Sequence, residues 1–358
     1  MDRHDIPEAI TAEHVAQMHR ADLKIEHLYG CKGMTYWCDE KRRTAFCLIQ
    51  APNMKAIEAM HDHAHGDVPH RIIEVESAIV ESFLGRIEDP EKSQKTELNI
   101  INDPAFRTIM ILKLYKSPSF DATSKKINTV LTNTNNNIVN AIEKFLGRVV
   151  QHKSDYFLSS FTSVTNAVLC AKQIQWLLQE SLKNFEEDIT FHIGLNAGVP
   201  VTDKEKIFEE TIKLAERLCY VIQRPIVVTS EVKDLYESEN LNTQIDEKVV
   251  HVVNANNEKF LTAFIDLIDE EWDNPTLRAA TLEKKLGLSK SQLYRKLMVT
   301  IGTSPNEFIK EYRLKNALAL LHKGADTISE IAYKTGFNSP AYFSKCFADK
   351  FGILPSKI

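Results

Sequence analysis

The feature that most constrains this 358-residue chain is a repeat near its C-terminus. Ser289, Leu293 and Leu297 recur 50 residues later as Ser339, Phe343 and Phe347. Each serine can cap a helix, and apolar residues at +4 and +8 turn one face of that helix into a core. Pro340 follows its cap at the first helical position, where a missing N–H costs little. A glycine-led turn precedes each helix, Gly287-Leu288 in one case and Gly336-Phe337-Asn338 in the other. Upstream of each turn the pattern predicts a short helix, over 276–286 and 328–335. The spacing therefore reads as helix, turn, helix, twice. Between the two units, Ser304-Pro305-Asn306-Glu307 has the pattern of a capping box opening a long helix that ends at Gly324. Such a helix would hold two reading heads about one DNA turn, roughly 34 Å, apart.

The run Ile328 to Ser339, with Tyr342-Phe343-Ser344 and Phe351 to Ser356, resembles the AraC/XylS signature almost throughout. Gly287-Leu288-Ser289, Leu293 to Leu297 and Gly302 to Pro305 are similar to its first half. The likeness spans about 85 residues. It implies sequence-specific binding to double-stranded DNA. By position it implies groove-facing residues Ser291, Gln292, Tyr294 and Arg295 in the first reader, and Ala341, Tyr342 and Lys345 in the second. Chemistry supports part of that set. Arg295 suits guanine O6 and N7, Gln292 suits adenine, and Ala341 offers at most a methyl contact. Lys284, Lys285, Lys290, Lys310 and Lys334 suit phosphates, or simply a solvated helix face.

Charge fits that assignment. The chain carries −5 overall, yet from Asn274 onward 14 Lys and Arg face 6 Asp and Glu, a net of +8. The remainder holds 30 against 43, a net of −13. A basic tail on an acidic body implies that the tail alone meets a polyanion. No run of about 18 apolar residues is present, so no membrane span is expected. The start, Met1 to Pro7, has no apolar signal region. Six cysteines without a Cys-x-x-Cys pair point to a reducing cytoplasm.

Eight of the twelve histidines fall in the first 70 residues. There the pattern predicts a helix over 11–29, strands over 34–38 and 43–51, a helix over 53–65 capped by Asn53 and stopped at Gly66, and a strand over 72–80. Mixed elements of this kind imply an α+β sandwich. His61 and His65 share one helix face and could chelate one ion with Cys47, or could form a solvated helix end. Imidazole with thiolate suits Ni, Zn, Cu or Fe. His19 to Leu23, Tyr36-Trp37, Phe46-Cys47-Leu48, and Met60-His61 through His65-Gly66 resemble a small ferredoxin-like family of nickel-binding proteins over residues 11–85. That likeness implies His19, Cys47, His61 and His65 as ligands of a transition metal, nickel favoured. Cys31, Cys38, His14, His27 and His70 are further candidates.

The middle of the chain alternates strand and helix. Strands are expected at 108–112, 148–150, 189–195, 225–228 and 248–253, with helices near 122–146, 163–184 and 204–222. Gly147 to Phe161, Ala167 to Ile174, His192 to Gly198 and Leu214 to Leu218 resemble a class III nucleotide cyclase. Such an enzyme needs two carboxylates to hold two metals. Asp155 fits one, but Ile111 to Tyr115 supplies no second, and Lys213 stands where an asparagine is expected, although Arg217 is retained. The resemblance thus implies a degenerate cyclase fold kept for dimerisation or signal transmission, with no catalysis.

The domains expected are 1–90 ferredoxin-like and metal-sensing, 91–104 a polar linker, 105–268 cyclase-like α/β, and 269–358 an all-α double helix-turn-helix. The acidic stretch Asp266 to Asp273 is read as the separator before the tail. The reading is a cytoplasmic, homodimeric, metal-controlled transcription regulator. Its rivals are an active cyclase carrying a DNA-binding tail, and a metal-storage protein.

Overall fold

A computed structural model describes residues 1–90, 98–117, 125–183, 189–241 and 243–358. The first half of the expected 91–104 linker, the start of the 122–146 helix and the last residue of the 163–184 helix lie outside these residues. The described part of the linker packs closely on its neighbours. The Tyr36 hydroxyl donates to Asn99 O and accepts from Ile101 N, each at 2.8 Å, and Ile101 is buried.

Residues 1–90 form an antiparallel sheet of β1 (Asp2–Asp5), β2 (Lys32–Asp39), β3 (Thr44–Gln50) and β4 (Arg71–Ile72), in the order β2-β3-β1-β4. Helices α1 (Ala12–Ile25) and α2 (Met54–Ala64) complete a ferredoxin-like βαββαβ sandwich. The period-two rule sorts the side chains. Tyr36, Cys38, Ala45 and Cys47 join Val15 and Ala16 of α1, while Trp37, Phe46 and Leu48 pack toward the middle of the chain. Asn53 caps α2 by accepting from Ala56 N at 3.0 Å, as its sequence position suggested.

Two elements differ from expectation. The strand expected over 72–80 stops at Ile72, and Ser77–Leu84 forms a helix, α3. Val80, Phe83 and Leu84 recur at three and four residues, so the helix buries all three on one face. Gly85, at φ 88°, ends it. The unexpected strand is β1, whose inward residues are the polar Asp2 and His4 and which therefore shows no apolar alternation.

The middle domain is a six-stranded sheet in the order β10-β9-β8-β5-β7-β6. Its strands are β5 (Arg107–Lys116), β6 (Arg148–Lys153), β7 (Tyr156–Phe161), β8 (Ile189–Gly198), β9 (Ile226–Thr229) and β10 (His251–Val253). Helices α4 (Lys125–Lys144), α5 (Val164–Ser181) and α7 (Ser230–Glu239) cover one face through Met110, Leu112, Ile138, Ala171, Ile174 and Val232. Helix α6 (Glu209–Val221) and the N-terminal sheet cover the other, where Ile109, Ile111 and Ala215 meet Trp37, Phe46 and Phe83. Arg107 fixes this contact. Its buried guanidinium donates to Phe83 O and Leu84 O at the end of α3 and to Pro104 O and Phe106 O. Phe208 caps α6 in the left-handed region, φ 54°, with its ring 5.0 Å from that of Phe83. For a bulky residue that conformation costs roughly 1–3 kcal/mol, so its surroundings must hold it there.

The acidic stretch 266–273 is mostly the final turns of an unexpected helix, α8 (Ala255–Glu271). Phe264, Ile265 and Ile268 bury against Leu218, Val221 and Ile222 from the middle domain and Leu282, Leu293, Leu297 and Phe308 from the tail. Acidic residues occupy the outer face while the apolar ones keep helical spacing, so charge alone was a poor boundary marker. The tail continues with α9 (Ala279–Leu286), α10 (Lys290–Thr300), α11 (Pro305–Lys323), α12 (Ile328–Lys334) and α13 (Pro340–Phe351). A separate core of Leu314, Ala317, Ile331, Phe337, Phe343 and Phe347 holds the second unit. Arg313 on α11 donates to Trp272 O at 2.8 Å and Asn274 O at 2.7 Å, tying the connecting helix to the segment after α8.

Candidate metal centre and nucleic-acid interface

Two trios of ligand-type side chains meet between the N-terminal sheet and its helices. Asp2, His4 and Cys47 form one, and Asp22, His61 and His65 the other. Alternation along β1 points Asp2 and His4 inward together, and Asp2 is the cross-strand partner of Cys47. Asp22 comes from α1, while His61 and His65 lie one turn apart at the end of α2. His61 joins the trios. Its Nδ1 lies 3.1 Å from Asp22 and its Nε2 3.2 Å from Asp2, and His65 Nε2 lies 3.1 Å from His61 Nδ1.

The electrostatics follow from burial. Desolvation disfavours the His61 cation, yet the hydrogen bonds it donates to Asp2 and Asp22 outweigh it and hold the imidazolium pKa up at about 10. In return, and against their own desolvation, the same bonds hold both carboxyls below the usual range. A protonated imidazole thus sits where two buried carboxylates need a cation. His4 differs. Burial holds it below the ordinary histidine value, so it is neutral, and its Nδ1 lies 3.0 Å from Asp67. Its buried Nε2 has no hydrogen-bond partner. A neutral imidazole anchored to a carboxylate through one nitrogen, with the other vacant, is how histidines that bind metals are usually arranged. Burial raises the Cys47 thiol well above its ordinary value, so a thiolate there needs a cation beside it. The donor set of imidazole, carboxylate and thiol fits a late first-row divalent ion.

Of the ligands implied by sequence, the structure places Cys47 in the first trio and His61 with His65 in the second. His19 stands apart. Its Nε2 lies 3.2 Å from Asp89 and its ring 5.0 Å from that of Tyr36. Among the described residues, Cys31, Cys38, His14, His27 and His70 join neither trio. Sequence reasoning missed Asp2, His4 and Asp22. The Asp-x-His alternation at the start of the chain was their one available signal.

In the tail all seven residues implied to face DNA are exposed. Ser289 and Gln292 close a capping box on α10, in which Gln292 Oε1 accepts from Ser289 N at 2.8 Å. The Gln292 side chain is therefore committed to its own helix end. An adenine contact would require it to leave that bond. Among the described residues Arg295 and Lys345 make no ion pair, whereas Lys310 pairs with Glu307 at 2.8 Å and Lys334 with Asp326 at 2.6 Å. Exposed pairs of that kind contribute about 0–1 kcal/mol and exchange readily for phosphate.

The cyclase-like positions do not assemble a two-metal site. Asp155 lies in the β6–β7 turn, where its carbonyl accepts from Leu114 N at 2.8 Å. Lys213 pairs with Glu209 at 2.6 Å, and Arg217 is bound by Asp266 of α8.

Comparison with known proteins finds family matches at the two ends of the chain. Residues 282–358 match a helix-turn-helix domain family, and residues 1–75 match the family of nickel responsive protein SCO4226-like. Histidine kinase P4 of Formosa agariphila is 36% identical over 105 residues, 29% of this chain and 8% of that protein. The HTH-type transcriptional regulator MtrA of Neisseria gonorrhoeae is 28% identical over 59% of this chain and 73% of its own length. The chain thus spans under a tenth of one relative and nearly three quarters of the other. An AraC-type regulator structure from Chromobacterium violaceum is 28% identical, covering 29% of this chain and 92% of its own, with a TM-score of 0.27. An adenylate/guanylate cyclase/hydrolase structure from Silicibacter pomeroyi is 23% identical, covering 37% and 82%, with a TM-score of 0.31. The tail of this chain is a helix-turn-helix domain similar to those of AraC-type regulators, and its first 75 residues are similar to the family of nickel responsive protein SCO4226-like.

Proposed function

We propose that this chain is a transcription regulator that binds double-stranded DNA in the cytoplasm and whose affinity is set by a transition metal, nickel favoured, at the N-terminal cluster. The observation that carries the reading is the duplicated helix-turn-helix with both reading helices exposed. Asp2, His4, Cys47, Asp22, His61 and His65 would hold the ion. The metal supplies a fixed divalent charge, and His4 is already oriented for it by Asp67. His61 keeps the two carboxylates compensated in the metal-free protein. The middle domain serves as the homodimer contact, a role supported by Trp176, 56% exposed, and Leu169, 39% exposed, two turns apart on α5.

Arg295→Ala is expected to weaken binding about 10- to 100-fold at a site with guanine opposite that residue and to relax preference there, as read by competition binding. Equal loss at every base would instead make Arg295 a phosphate contact. Selecting DNA from a random pool with and without Ni, Zn, Co and Cu tests the whole reading. The expected result is an enriched motif that one of these metals strengthens or abolishes. No motif under any condition would overturn DNA control, and a motif indifferent to all four would overturn metal control.

A further inference from the structure

A cavity of about 390 Å³ lies between the middle domain and the tail. Tyr220, Phe308 and Tyr312 supply aromatic walls, and Lys315 and Arg224 contribute cations. The turn at Gly302 closes one side. The volume falls in the range of small-molecule sites.

Lys315 is the unusual member. Its ammonium lies 4.3 Å from the Tyr220 ring centroid and 5.9 Å from that of Tyr115, and burial lowers its pKa. Glu311, one turn earlier on α11, also lines the cavity and partly offsets the Lys315 charge, but its carboxylate is bound to Lys350. No carboxylate among the described residues pairs with Lys315, and none pairs with Arg224, which follows α6. A half-desolvated ammonium resting on tyrosine rings gains some cation–π energy, but an anion would compensate its charge far better.

We propose that this cavity binds a small aromatic carboxylate, its ring against Tyr220, Phe308 and Tyr312 and its carboxylate at Lys315 and Arg224. Such a ligand touches both the turn after α6 and the helix connecting the two readers. It would be a second effector, separate from the metal.

Calorimetric titration of the full chain with phenylacetate, acetate and 2-phenylethanol tests this without DNA or metal. Phenylacetate is expected to bind with Kd below about 1 mM, and the ring alone or the carboxylate alone at least about tenfold more weakly. Lys315→Met keeps the buried stem and removes the charge, and Arg224→Gln alters an exposed side chain that the fold does not need. Each is expected to weaken phenylacetate by about tenfold or more. If Lys315→Met does not fold, Arg224→Gln decides. No binding of phenylacetate up to about 10 mM, or unchanged affinity in the folded variants, would overturn the proposal.

Discussion

His61→Ala is expected to destabilise the metal-free protein by about 3–5 kcal/mol, measured by urea unfolding in chelator, because it strands two carboxylates in a dry site. Asp2 is fully buried and Asp22 is 3% exposed, so water cannot readily replace the lost imidazolium. The same substitution removes one of the six proposed ligands but leaves five, so stability should still respond to added metal. A divalent ion at about 100 times its Kd contributes about 2.7 kcal/mol, and in this variant it also answers the stranded charge. Nickel or zinc should therefore restore much of the loss. His19→Ala is the control. Its partner is Asp89, outside both trios, so the metal-induced shift should survive. A His61→Ala protein as stable as the parent in chelator would mean that the carboxylates are not ionised as described. A metal response lost in His19→Ala would instead make His19 a ligand, as the sequence implied.

Leu293→Ala carries the second large effect. Leu293 is fully buried on α10, in a core shared with Leu218 and Val221 of α6 and Phe264 of α8. Truncating a buried leucine costs about 2–5 kcal/mol, depending on how far the site collapses. Here the cost should spread beyond the reader that bears the residue. Hydrogen exchange should show lower protection in α6 and α8 together with α9 and α10, as one cooperative unit. Phe343→Ala should instead loosen α12 and α13 first, since the second unit has its own core. Protection lost only in α9 and α10 after Leu293→Ala would show the first reader to be an independent unit.

The tail was legible because its signals are local. Ser289, Ser304 and Ser339 accept bonds from residues three positions on, and Gly287, Gly324 and Gly352 end helices in the left-handed conformation. Caps and terminators act within one turn, so their residue types alone reveal them. The ferredoxin-like order was legible for the same reason, apart from β1. The metal cluster was only half legible. His61 and His65 share a helix, whereas Asp2, His4 and Asp22 reach the site through a strand pairing and a helix packing that no spacing encodes. Gln292 shows the reverse case. Its type suits an adenine, but the backbone of its own cap holds it first. Helix α8 was hidden by composition, since its acidic outer face drew the eye from Phe264, Ile265 and Ile268 on the inner one.

Helix α6 runs from Phe208, wedged against Phe83 beside the N-terminal domain, to Leu218 and Val221 beneath the first reader. Its 13 residues make a beam roughly 20 Å long. A beam transmits rotation as displacement, so a tilt of about 5° at the Phe208 end sweeps the far end through roughly 2 Å. Two ångströms is close to the difference between a bidentate base contact and none, since hydrogen bonds to base edges hold over only a few tenths of an ångström. A tilt of α6 would therefore shift the first reader from a point about 20 Å away along the same face of the middle sheet.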